Sequence, residues 1–406
     1  MKKVALAERA NWRETAQEVG FTFADMHGEP YWDETSAYEF SLSEIEERIE
    51  DPSTELHKMC REAAAMIVGS EELLEKLGIA PEFWDLVAGS WARGDQELYG
   101  RFDLAYDGAG PAKLLEYNAD TPTSLYESAA FQWQWLEDQI ACGALREGDD
   151  QFNGIHEALV ERFGEMFEPG TDLHFTAVGG SVEDYATVEA MGWAAREAGL
   201  GAHYSDLDKI GISAEGQFVD AEDRVIGHMF KLYPWEDLLR DEYAQHLAGA
   251  NCVMIEPAWK AVVSNKGILP VLWQMFEGHP NLLPAFFASD LALARAGAGM
   301  RGMTAMVGRA EAELARGHVI KPLFSREGAG VTIMENGAQS EATEAGDYAA
   351  HARIVQSYAP LPVFDGFRPV IGSWIIGETC AGIGIREDRL KITQDLSRFK
   401  PHYIRN

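Results

Sequence analysis

The constraint that weighs most on this chain is a change of period near residue 101. Upstream of it, apolar residues recur at helical spacing. Residues 41–48 begin on Ser41 and carry Glu44 three positions later, the pattern of a capping box. Residues 56–68 repeat apolar side chains every three or four positions, and 81–89 reads as another short helix. From Arg101 the run RFDLAYDGAGPAKLLEYNAD alternates instead, as strand, turn and strand, with Asp107-Gly108 as the turn signal. Residues 1–100 are therefore expected to be mainly helical, with an irregular stretch at 21–32 broken by Gly28 and Pro30.

Beyond the hairpin the pattern alternates again. Residues 127–168 return to helix, with Trp133, Trp135 and Leu136 on apolar faces. A strand at 173–178, a helix at 184–198 and a strand at 202–205 predict an embedded α/β unit within about 170–250. Short strands at 253–256, 319–323, 330–334, 353–358, 368–376 and 380–386, with helical stretches at 266–276 and 291–315, fill the last third. The class is mixed, α+β or α/β. No repeat or low-complexity linker marks a clean domain cut.

Composition limits function. A length of 406 residues predicts two or three intimately packed subdomains, and 46% hydrophobic residues supply a core. The net charge of -32 opposes nucleic-acid binding and would attract cations, although a charged solubility surface is the better account of its bulk. Cys60, Cys142, Cys252 and Cys380 form no CxxC pair, so they are expected to be reduced and mostly buried. The N-terminus has no apolar core of a signal peptide, and no apolar run reaches a membrane span; a cytoplasmic location, without membrane or nucleic-acid partners, is expected.

Chemistry concentrates on the hairpin. Glu116 and Asn118 share one strand face. If the turn centres near residues 109–110, Asp103 falls opposite Glu116 or its neighbour. Two carboxylates and an amide oxygen suit magnesium shared with nucleotide phosphates, and Arg101, on the Asp103 face, could neutralise a phosphoryl group or an oxyanion. A solvent-facing strand of alternating charge would look the same. The following turn offers the hydroxyls of Thr121, Thr123 and Ser124. Lys321 leaves an apolar strand before Pro322, as a phosphate contact or as a lysine reaching for solvent. LFSREGAG then reads as a phosphate-covering hairpin tip or a plain glycine turn; it lacks the GK[ST] of a Walker A loop. Lys266 is placed in the first turn of a helix capped by Ser264 or Asn265. Arg386 either closes on phosphate or pairs with Glu387 or Asp388.

GRFD, LLEYNADTPTSLYE, IEPAWK, SNKGILPVLW, VIKP with its glycine loop, and the arginine of GIGIRED occur in this order. The chain resembles the synthetase half of glutathionylspermidine synthase and its stand-alone bacterial relatives. The resemblance implies an ATP-grasp ligase fold with a pre-ATP-grasp-like α/β subdomain at 170–250, a nucleotide lid region at 260–360 and a C-terminal catalytic sheet at 360–406. It implies ATP and Mg2+, with Arg101 and Arg386 as catalytic arginines and Asp103, Glu116 and Asn118 as metal ligands. ATP would meet Arg101, Asp103, Lys266, Lys321, Ser325, Arg326, Gly328, Gln356, Ser357, Tyr358 and Arg386. Thr121, Thr123, Ser124, Glu183 and Asp184 would bind a glutathione-like peptide and a polyamine or other amine. The implied reaction is amide formation through an acyl phosphate. Departures are the SREGAG lid without cysteine, a long 267–320 segment, a loose match at FKLYPWED and the lack of a preceding amidase domain. The same chemistry on another peptide or amine, and a non-catalytic nucleotide- or polyamine-binding protein, remain as alternatives.

Overall fold

Every side chain of the strand Tyr99–Ala105 is buried, so both of its faces must be covered and both of its edges paired. It pairs antiparallel with Lys113–Asn118 on one side and Arg368–Ile376 on the other. Thr379–Asp388 and Arg398–Lys400 complete a five-stranded sheet, the central sheet. The protein is described here from a computed structural model that covers residues 1–26, 28–394 and 397–405. The helix Asp51–Val68 packs on the central sheet and buries Leu56, Met59, Cys60 and Ile67. Each such large side chain contributes about 1.5–3 kcal/mol. The capping box at Ser41 and Glu44 forms as its sequence requires.

A second five-stranded antiparallel sheet, the lid sheet, has the spatial order Ala285–Phe287, Arg353–Ser357, Gly317–Pro322, Thr332–Glu335 and Ala338–Ala342. The glycine loop joins its third and fourth strands. A third sheet is wholly parallel, in the order Val253–Ile255, His228–Leu232, Asp172–Ala177 and Gly201–Asp206. The helix Val182–Glu197 makes the crossover between its last two strands. The core of this unit runs into the central sheet: Phe230 lies 5.7 Å from Tyr99, which stacks on Trp374 at 6.2 Å between ring centres. Apolar contact thus fixes the parallel sheet against the strand that carries Arg101.

Some expectations need correction. The first hundred residues carry a short helix at Trp12–Glu18 and several helices between 42 and 93, but strands also lie before 42. Lys2–Ala5 and Ser36–Phe40 are strands, and Ser36–Phe40 also pairs in parallel with His402–Ile404. Such a sheet depends on partners at the far end of the chain, which no local pattern announces. Trp135 and Leu136 are buried, but Trp133 is exposed. Cys60 and Cys380 are buried, Cys252 is partly so and Cys142 is exposed; all four are free thiols.

Candidate active site

The register of the hairpin places Arg101 opposite Asn118 and Asp103 opposite Glu116, with a bulge after Asp103. The bulge matters because pairing resumes one residue out of step, which locally increases the twist. These four side chains floor a cavity of about 380 Å3 between the central sheet and the lid sheet. The turn of helix Val182–Glu197 closes one end with Glu183 and Asp184.

Asp103 is gripped by two arginines. Arg101 Nε donates to Oδ1 at 2.7 Å, and Arg386 Nη2 donates to Oδ2 at 2.8 Å. Arg386 therefore pairs across the sheet with Asp103 and not with Glu387 or Asp388. Glu387 is instead buried among Lys3, Tyr38 and Arg398. Arg101 also donates to the Thr123 carbonyl at 2.7 Å and lies over the Trp374 ring. Its burial is offset by the Asp103 charge, so the guanidinium stays firmly protonated.

Glu116 faces two lysines. Lys266 Nζ sits 3.2 Å from its carboxylate and donates to the Ser325 carbonyl at 2.7 Å. Lys321 Nζ donates to Gln356 Oε1 and to the Leu115 carbonyl, each at 2.8 Å. Burial acts to raise the Glu116 carboxyl, but the two ammonium groups overcome it and hold it at about 2. Burial pulls Lys321 down to about 8 against the opposing pull of Glu116. Lys266 precedes the helix Ile268–Met275 instead of lying in its first turn. Asn265 turns its side chain onto the Gly267 N–H, and the helix has no side-chain cap.

The glycine loop brings Ser325, Arg326 and Gly328 to the cavity, with Arg326 Nη2 donating to Thr121 Oγ1 at 2.6 Å. Gln356, Ser357 and Tyr358 line the far wall. Val319, Val331, Ile333 and Ile392 form an apolar cluster there, with Tyr358 beside it. The Ser325 and Ser357 hydroxyls are buried with no hydrogen-bond partner among the described residues. One end of the cavity thus suits a flat apolar group and the middle suits a polyanion. Asp103, Glu116 and Asn118 supply hard oxygens. Among the described residues no three His, Cys, Asp or Glu side chains could hold a metal by themselves. Two carboxylates and an amide oxygen are the ligand type that a magnesium ion takes.

Ser124 departs from its expected place. It has φ +66°, and its hydroxyl turns away from the cavity to lie 3.3 Å from the Tyr31 hydroxyl. Residues that sequence reasoning missed include Glu236, Lys391, Ile392 and Thr393, all on the cavity wall. Glu236 follows Trp235, whose N–H donates to Asp120 at 2.7 Å; Asp120 also pairs with the buried Lys231 at 2.6 Å. The lysine in FKLYPWED, an ion in an otherwise apolar strand, was the available signal. Burial raises the Glu183, Asp184 and Glu236 carboxyls, which makes this end a protonatable acidic pocket.

Comparison with known proteins identifies the family. Residues 3–405 match the family model described as glutathionylspermidine synthase preATP-grasp. A Haemophilus influenzae protein named "Putative acid--amine ligase" is 38% identical over 95% of each chain. Trypanothione synthetase of Crithidia fasciculata is 27% identical over 84% of this chain, and the bifunctional glutathionylspermidine synthetase/amidase of Escherichia coli is 22% identical over 96%. The match spans 52% of the first of these two and 63% of the second. The fold is similar to that of a glutathione synthetase-like effector from Globodera pallida, with a TM-score of 0.54 at 10% identity, covering 91% of this chain and 89% of that one. The chain belongs to the glutathionylspermidine synthase family of ligases.

Proposed function

We propose that this protein is an ATP-grasp ligase that joins a carboxylate to an amine, using ATP and magnesium. The observation that carries the reading is the meeting, in one cavity, of the Asp103–Glu116–Asn118 oxygens, the cations Lys266, Lys321 and Arg386, and an acidic pocket at Glu183 and Asp184. Adenine fits the apolar end between Ile392 and the lid sheet. The phosphates fit Lys266, Lys321 and Arg386, with the loop hydroxyl of Ser325 and the Gly328 backbone over them. Asp103, Glu116 and Asn118 would hold magnesium, which neutralises charge on the transferring phosphoryl group.

The chain's own groups then have defined tasks. A carboxylate oxygen attacks the γ-phosphorus, the bond to ADP breaks, and an acyl phosphate forms. Arg101, fixed by Asp103 and the Thr123 carbonyl, faces the charge that builds on that oxygen. The amine nitrogen bonds to the acyl carbon, the carbon–oxygen bond to phosphate breaks, and the nitrogen gives up a proton. Glu183 is placed to receive it, since its raised pKa makes it a better base than an ordinary carboxylate. Closure of the 325–330 loop keeps water from the acyl phosphate. The relatives' names favour glutathione as the carboxylate donor and a polyamine as the amine.

The test is incubation with ATP, magnesium, glutathione and a panel of polyamines and other amines, following ADP release and product mass. An adduct of glutathione plus amine less one water is expected. Arg101→Ala should lower kcat roughly 100- to 1000-fold. Full ligation by that variant, or no ADP with any pair, would overturn the corresponding part of the reading.

A further inference from the structure

The outermost strand of the lid sheet, Ala338–Ala342, carries Glu341, which reaches a segment belonging to the central sheet. Its Oε1 accepts the Ile392 N–H at 2.8 Å and its Oε2 accepts the Lys391 N–H at 3.1 Å. Lys391 also pairs through its ammonium with Glu335 on the adjacent lid strand. The segment leaves the strand Thr379–Asp388 and is folded back by Asp388. The two oxygens of Asp388 accept the Leu390 N–H at 2.9 Å and the Gln394 N–H at 3.4 Å. Held in this way, Ile392 is 6% exposed and packs with Val319, Val331 and Ile333 at the apolar end of the cavity. The glycine loop abuts the same segment, with no room for a side chain between them: a Cβ on Gly328 would lie 2.7 Å from Ile392 Cγ2 and 2.8 Å from the Thr393 carbonyl oxygen.

We propose that Glu341 is a positioning residue for nucleotide binding: by chelating two consecutive backbone N–H groups it fixes Ile392 as the wall of the base pocket and joins the two sheets that enclose the nucleotide. The inference rests on the nucleotide reading given above. A carboxylate accepting two N–H bonds is a strong and directional restraint. Without it the segment keeps its anchor at Asp388 and the Lys391–Glu335 ion pair, but the backbone at Ile392 loses its bond to the lid sheet. Ile392 must then be ordered by the ligand itself, which lowers affinity. That loss falls on the base and not on the phosphates, because Lys266, Lys321 and Arg386 stand on other elements.

The experiment uses the full chain with magnesium and a fluorescent ATP analogue, displaced in turn by ATP and by inorganic tripolyphosphate. Glu341→Ala should weaken ATP about tenfold, the loss of two charge-assisted bonds net of water, and leave tripolyphosphate unchanged. Glu341→Gln keeps one acceptor oxygen and should fall between, and it carries the test if the alanine variant does not fold. ATP binding equal to wild type in both variants would overturn the role of Glu341 and leave the nucleotide reading standing. Equal weakening of both ligands would also overturn it, as general loosening. A wild-type protein that binds neither ligand would overturn the nucleotide reading, and this inference with it.

Discussion

Gly372 lies directly beneath the Arg101 side chain. A Cβ there would stand 2.8 Å from Arg101 Cδ and 3.3 Å from Nε, so alanine must displace the guanidinium from Asp103. Gly372→Ala should lower kcat about 10- to 100-fold, with a stability cost of only about 1–3 kcal/mol; steady-state kinetics beside thermal melting would separate the two effects. Glu127 offers a pH prediction at the same scale. It is buried and accepts the Tyr31 hydroxyl at 2.5 Å; burial first, and then the Glu183 charge, push its carboxyl up to about 8. The folded protein therefore binds a proton there that the unfolded chain has already released above an ordinary carboxyl pKa near 4.5. Its contribution to stability is full below that value and declines as pH rises toward 8. Glu127→Gln, which mimics the protonated form, should gain thermal stability relative to wild type as pH is raised from about 5 to about 8. A difference in midpoint that stays constant over that window would refute the shift.

At the scale of elements, the glycine loop depends on close packing against the 391–393 segment. Gly328 has φ +72°, a region costly for other residues, and no room for a side chain toward Ile392. Gly328→Ala should raise KM for ATP about tenfold or more, with a small change in melting temperature, because the loop is a surface feature of the lid sheet. Unchanged KM would mean that the loop does not close on nucleotide. The hairpin beneath it is legible in the amino-acid order alone. Its turn residues and strand alternation bring Asp103 opposite Glu116 or its neighbour, and the register selects Glu116. The position of Ser124 is not legible in that way, because it is decided by Tyr31 and Glu127, which no spacing within the turn can report.

At the scale of the whole molecule, a net charge of -32 sets self-repulsion against folding. Internal pairs such as Lys400 with Asp33, at 2.8 Å and nearly inaccessible, are hardly screened by salt, whereas the acidic surface is. Melting temperature should therefore rise as sodium chloride is increased from about 0.01 M to about 0.15 M, over which the Debye length falls from roughly 30 to 8 Å. A fall would mean that exposed ion pairs outweigh the repulsion.

By itself the sequence determined what short-range physics controls: the capping box at Ser41, the helical stripe of 56–68, and the hairpin that brings Asp103 near Glu116. These depend on neighbours a few residues away, so spacing reports them. Only the tertiary structure decided which distant residues meet. Arg386 reaches Asp103 across 283 positions, the strand Ser36–Phe40 takes His402–Ile404 as its partner, and Glu341 holds a segment that starts from another sheet. Such contacts arise where packed sheets bring their edges together, and nothing in the local pattern of either partner names the other.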